Sequence, residues 1–223
     1  MLMVILRHGD CIVSRTSAAL IEPLGGNFMS FMEVPIFPLS TVLAPGGPLL
    51  LRIFEPRYLD MIGKCLRTDS GFGVSLIQEG TESGTAKVHL LGTLAKIADW
   101  YQYDDGVLGI TAIGLQRYRL HGTQRKTDGL MVGQVTLLPR EVPQALPEQY
   151  AYLAEVVKRV MGQMGPQYDL IEQDYESATW IGFRLLEVLP LSDEQKQFGL
   201  EIIDPIERLE MVARVVDKMG VER

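Results

Sequence analysis

The sequence is short of the residues that build covalent staples and metal centres. It has two cysteines, Cys11 and Cys65, in 223 residues. Two thiols so far apart make neither a disulfide framework nor a Cys-x-x-Cys knuckle, and a reducing, cytoplasmic setting is the simple expectation. The three histidines, His8, His89 and His121, sit far apart in the sequence, so no metal is expected. No apolar run reaches the roughly 18 residues of a membrane span. The apolar start "MLMVIL" is followed, not preceded, by its Arg and His, the reverse of a secretory signal. No membrane association is expected. Residues 1–28 are expected to be a poorly ordered extension. Met29 and Met32, just ahead of the first strand pattern, are alternative starts that mass spectrometry of the native protein would distinguish.

Catalytic signatures are missing too. No G-x-x-x-x-G-K-[ST] loop, no G-x-G-x-x-G after a strand, no H-E-x-x-H and no G-x-S-x-G elbow occurs. A serine and a lysine can meet in any fold, but nothing singles out such a pair. No cofactor and no enzymatic activity are expected.

Positive charge is also in deficit. With 21 Lys+Arg against 28 Asp+Glu the net charge is −7, which does not draw the chain as a whole to nucleic acid or anionic lipid. The deficit is local. Residues 1–140 carry 13 basic and 12 acidic side chains, and residues 141–223 carry 8 and 16. Such asymmetry points to two structural parts, here 29–140 and 141–223.

What is present is patterned. "EVPIFPLS" (33–40) is β-branched with two prolines, as an edge strand tolerates. "LAPGGP" is a turn, and "PLLLRIF" a second strand. Pro56 suits the first turn of a helix, and Leu59, Ile62 and Leu66, with Met61 and Cys65, predict its apolar stripe. "FGVSLIQEG", "AKVHLLGTLAKIADWYQYDDG", "VLGITAIGLQRYRLHG" and "LMVGQVTLLP" read as further strands, six or seven in all. A small barrel or sandwich with one inserted helix is expected. After the Pro-rich "REVPQALPEQ" (140–149) four amphipathic helices follow, with a capping box at Ser192–Gln195 and a cap at Asp204-Pro205. Together they predict an α+β fold, ending in a helical bundle.

Three residue groups are candidates for function. Glu55, Pro56, Arg57 and Tyr58 join the second strand to the helix, either as a polar anchor for a ligand or as a salt-bridged joint. Arg117, Arg119 and His121 alternate onto one strand face, around Tyr118, as an RNA-facing strand would; the acidic balance makes nucleic acid the alternative partner, not the expected one. Trp100, Tyr101 and Tyr103 cluster in "DWYQYDDG", where aromatic rings can hold a peptide or pair across a hairpin.

The ordered strings "VPIFPLSTVLAPGGPLLLRIFEPRYLDMI", "FGVSLIQEG", "GTLAKI", "GLQRYRL" and "LPLSDEQKQFGLEIIDPIERLEMV" resemble the N-terminal substrate-binding domain of Lon proteases, over roughly residues 33–219. The resemblance implies a six-stranded PUA-like pseudo-barrel followed by a helical bundle. It implies recognition of unfolded or partner polypeptide without catalysis, and it favours the structural reading of the Glu55–Tyr58 joint. No ATPase or peptidase stretch is matched, so a stand-alone module working with a separate protease or chaperone is expected. The expected contacts are Pro45, Arg52, Trp100, Tyr101 and Tyr103, lining a groove between barrel and helices.

Overall fold

The computed structural model describes residues 31–82 and 84–220; the expectation for 1–28 lies outside the described residues. Seven strands come first: β1 (Met32–Leu39), β2 (Pro48–Ile53), β3 (Phe72–Gly80), β4 (Ala86–Val88), β5 (Leu91–Gln102), β6 (Leu108–Arg125) and β7 (Met131–Leu137). Helix α1 (Pro56–Thr68) is inserted between β2 and β3. Then follow α2 (Ala151–Met161), α3 (Ala178–Val188), α4 (Asp193–Glu201) and α5 (Pro205–Lys218), with short 3-10 turns at Glu148–Tyr150 and Pro166–Leu170. The α+β architecture expected from the alternation of periods is the observed one, with β4 as a short extra strand.

The sheet closes on itself. Its order is β1-β7-β6-β5-β3-β4, and β1 also pairs with β3 in parallel. So β1 is not the edge its prolines suggested. Its first half, Met32 to Ile36, bonds β7, and its second half, Ile36 to Leu39, bonds β3. Each half therefore has a single ladder, and Pro35 and Pro38 can sit where a missing N–H costs no bond.

β6 is 18 residues long, longer than any one neighbour on its far edge. β5 lines one edge from Leu108 to Arg119. The other edge changes partner, from β2 at Leu108–Ile113 to β7 at Tyr118–Arg125. Between them, Gly114 to Arg117 have no strand on that side. The turn before β2 fills part of the gap: Gly46 N–H donates to Gly114 O at 2.7 Å, and Gly114 N–H donates to Gly47 O at 2.9 Å. Gly46 holds φ +72°, a left-handed conformation that glycine adopts without strain. Gly114 must lack a side chain, because a Cβ there would meet the Ala44 carbonyl.

Helix α1 plugs one end of the barrel. Its buried face is Tyr58, Met61, Ile62 and Cys65, while Leu59 and Leu66 are exposed. The stripe is thus rotated by about one residue from the leucine-based expectation. The cause is Tyr58: its ring stacks on Phe37, centroids 3.9 Å apart and 9° from parallel, and a buried aromatic carries more apolar area than a leucine. The helical part has its own core around Leu153, Val157, Ile181, Leu185, Leu209, Val212 and Val216. Its caps are as the sequence signals: Ser192 and Gln195 exchange side-chain bonds in a capping box, and Asp204 Oδ1 accepts from Ile206 N–H at 2.9 Å. A smaller apolar cluster, Ala44, Leu91, Phe183, Leu186 and Leu200, joins barrel to helices.

Candidate binding cleft

The gap in β6 is where the helices attach, and buried arginines make the attachment. Arg117 projects from β6 toward the α4–α5 corner. Its Nη1 donates to Leu200 O at 2.7 Å and Ile202 O at 2.8 Å, and its Nη2 pairs with Glu141 Oε1 at 2.6 Å. Arg208 of α5 grips the same carboxylate with both nitrogens, at 2.8 and 2.6 Å. It also donates from Nε to Gly199 O at 3.0 Å and lies 3.8 Å over the Phe183 ring. Arg117 is 5% exposed and Arg208 0%. Burial pushes the Arg117 guanidinium pKa below its ordinary value, while Glu141 opposes the shift. One carboxylate from the connecting segment therefore joins barrel and bundle through two guanidiniums, and Arg208 holds it with both nitrogens, the fork geometry in which arginine binds a carboxylate best.

A third arginine, Arg184 of α3, clasps the turn that fills the gap. It donates to Gly46 O at 2.6 Å and Pro45 O at 2.8 Å, and reaches Glu187 Oε1 at 3.1 Å. Burial raises the Glu187 carboxyl to about 7, against the opposing pull of Arg184 and Lys196. Its folded pKa lies above the unfolded value, so the folded state holds the extra proton. The associated stability is full below pH ~4.5 and is lost as pH rises toward ~7. Glu187→Gln is expected to flatten the pH dependence of the urea midpoint between about pH 5 and 7. An unchanged slope would show that Glu187 is ionised throughout.

Beside these clasps an open cleft of about 500 Å³ separates barrel from helices. Pro45, Leu115 and Pro139 line the barrel side, and Pro143, Trp180 and Phe183 the other. Trp180 is held in place: its Nε1 donates to Glu172 O at 2.9 Å and its ring meets Tyr175 edge-on at 5.1 Å. Arg140, Glu172 and Asp174 stand at the polar rim. Among the described residues, no group of three or more His, Cys, Asp or Glu side chains could hold a metal ion, and no helix is long and apolar enough to cross a membrane.

Of the five expected contact residues, Pro45 alone lines this cleft. Arg52, Tyr101 and Tyr103 meet elsewhere, at the β5–β6 hairpin. Arg52 and Tyr101 flank Gly109 in the ladder, the Arg52 guanidinium lies 4.3 Å over the Tyr103 ring, and Arg52 pairs with Asp105 at 2.5 Å. The two tyrosine hydroxyls are 3.1 Å apart, and that hydrogen bond, with burial, raises the Tyr101 pKa to about 12. Trp100, 61% exposed, sits in the next ladder position, opposite Ile110. Gly109 to Leu115 is six residues, roughly 20 Å of strand, so these side chains and the cleft are separate surfaces.

The expected basic face is corrected. Arg119 and His121 are exposed, and His121 bonds Thr136 Oγ1 at 2.9 Å, but Arg117 lies under the helices with its charge on Glu141. Glu55 and Arg57 pair at 2.7 Å, and Arg57 reaches on to Gly129 O at 3.1 Å and Glu82 O at 3.2 Å. Arg57 also lies 4.7 Å over the Tyr58 ring. Pro56 opens α1 between them. The arrangement ties the start of α1 to two loops, as a joint does. Trp180, Phe183, Arg140 and Glu141 were not singled out from the sequence. The available signal was Arg184 and Arg208, two charges inside otherwise apolar helical stripes, because charge is buried only when paired.

A small closed barrel carrying a C-terminal helical cap places the chain in a defined class of α+β domains. Residues 33–218 match the ATP-dependent protease La (LON) substrate-binding domain, and the chain belongs to that family. The fold is similar to the crystal structure of a Lon N-terminal domain protein from Xanthomonas campestris, with TM-score 0.68 and 35% identity, covering 82% of this chain and 98% of that one. The N-terminal domain of Mycobacterium avium complex Lon protease shares the fold at TM-score 0.56 and 17% identity, covering 86% and 100% of the two chains. In sequence the chain is 30% identical to Protein cereblon of Danio rerio over 117 residues, 51% of this chain and 27% of that protein. It is 25% identical to Lon protease 2 of Myxococcus xanthus over 208 residues, 83% and 23%. The chain thus spans about a quarter of the length of these curated relatives.

Proposed function

We propose that this protein is a non-catalytic recognition module that binds exposed apolar segments of client or partner polypeptides in protein quality control, and that the cleft between barrel and helices holds them. The observation that carries the reading is the cleft itself. Apolar side chains at Leu115, Pro139, Pro143 and Trp180 remain accessible beside a frame held by three buried arginines. A cleft formed before the client arrives costs no ordering of the protein on binding, although the client's own ordering keeps affinity modest. The likeness to Lon protease 2 supports clients bound for proteolysis, and a separate protease or chaperone in the cytoplasm is the natural recipient. The Arg52–Tyr103 cluster with Trp100 is a second, smaller contact surface.

An RNA-binding role draws less support, because Arg117 is withdrawn from the strand face it would need and phosphate binding rests on accessible cations.

Titration calorimetry with a permanently unfolded protein tests the reading. Binding at micromolar affinity is expected. Leu115→Arg, at a half-exposed cleft position, is expected to weaken it by about tenfold with the unfolding midpoint unchanged. Absence of binding to a folded protein, or full affinity in Leu115→Arg, would refute the cleft as the site.

A further inference from the structure

The exposed helical wall of the cleft is acidic. Glu172 and Asp174 are exposed on its helical wall, and neither carboxylate has an ion-pair or hydrogen-bonding partner among the described residues. Deeper in, Arg117 and Arg208 share the one Glu141 carboxylate, each at 2.6 Å, and their charges are buried away from the opening. On the opposite rim, Arg140 makes a long bond, 3.4 Å, to Gln116 Oε1. The helical part behind the acidic wall, residues 141–223, carries 8 basic against 16 acidic residues, a balance that favours a cation over an anion at the wall.

We infer that the cleft discriminates among apolar segments by charge, taking those that carry a lysine or arginine beside the apolar side chain. The inference rests on the cleft reading above. The apolar group of the client lies against Leu115, Pro139 and Trp180. The alkyl stem of the neighbouring lysine or arginine covers more of the same surface, while its charged end stays wet and meets Glu172 and Asp174. A client carboxylate at that position is repelled by two uncompensated charges, which discriminates as strongly as the attraction does. Arg140 on the other rim gives the site a direction, with the client's cation at the Glu172 end and its carbonyl or carboxylate oxygens at the Arg140 end. Ion pairs this close to water are weak, so selection is a matter of severalfold and fades with salt.

The test uses the full chain with Trp100→Phe, which leaves Trp180 as its only tryptophan. Three labelled peptides share one apolar-aromatic sequence and differ at one central residue: Lys, Gln or Glu. Anisotropy is expected to rank them Lys over Gln over Glu, with about fivefold between Lys and Gln at low salt, collapsing near 0.5 M salt (about 4 Å screening length). Adding Glu172→Gln and Asp174→Asn is expected to erase the ranking. Equal affinities for the three peptides, or a ranking that survives the double substitution, would overturn charge selection while the cleft still binds. No binding by any peptide, with Trp180 emission unmoved, would instead overturn the cleft reading, and this inference with it.

Discussion

Glu141→Gln is expected to lower the stability of the protein by about 3–5 kcal/mol, the usual consequence of breaking a buried ion pair at one partner. The carboxylate of Glu141 accepts from Arg117 at one oxygen and from Arg208 at both. Neither guanidinium has water to fall back on, since both are almost fully buried. A glutamine keeps the shape but offers one acceptor oxygen and turns an N–H toward two cations. The carbonyls of Leu200, Ile202 and Gly199 still bind the arginines but do not cancel their charge. At about 2–4 °C per kcal/mol for a chain of this size, the melting point should fall by roughly 10 °C. Because the triad spans barrel, connecting segment and α5, the two cores should also cease to unfold together, giving separate transitions in urea. Replacing the whole triad, Arg117→Met with Glu141→Leu and Arg208→Met, should restore much of the loss, since no charge then remains buried. A shift below about 1 kcal/mol for Glu141→Gln would mean that the triad is solvated and does not hold the two parts together.

The second large effect concerns binding. Trp180→Ala is expected to weaken the unfolded client by about 30-fold or more, the loss typical when a tryptophan anchor in a desolvated pocket is truncated. The ring is pinned by Glu172 O and Tyr175 and so loses little freedom when a client packs on it. Trp100→Ala, at the separate hairpin surface, is the comparison. It should change affinity by no more than a few-fold, because a single exposed ring buries little area. If Trp100 proves the costlier residue, the hairpin with Arg52, Tyr101 and Tyr103 is the binding surface and the cleft is not.

Legibility from the sequence followed the distance over which the deciding interaction acts. Local signals were read well. The capping box at Ser192–Gln195, the cap at Asp204 and the proline that opens α1 each involve residues at most three apart, and each appears where its residues stand. The alternation of "GLQRYRL" correctly marked a strand with Tyr118 and Leu120 inward. What alternation could not show is that Arg117, nominally on the solvent face, meets the carbonyl of Leu200, 83 residues further on. The α1 face was misjudged for a related reason. Helical spacing admits either the leucines or Tyr58-Met61-Cys65, and Phe37, a strand away, decides between them. The edge assignment of β1 failed because closure by β3 is a long-range pairing with no local mark. Of the cleft, Pro45 was legible through its turn. Trp180 and Phe183 stand on α3 among many other apolar side chains, and an apolar residue lining an opening reads like one in the core.

Hydrogen exchange of the full chain, with and without a saturating unfolded client, tests the central claim most directly. A preformed cleft as the binding site predicts new protection confined to three segments, residues 113–117, 139–143 and 172–183, with the barrel interior unchanged. Protection gathered at residues 99–105, or no change anywhere at saturation, would contradict it.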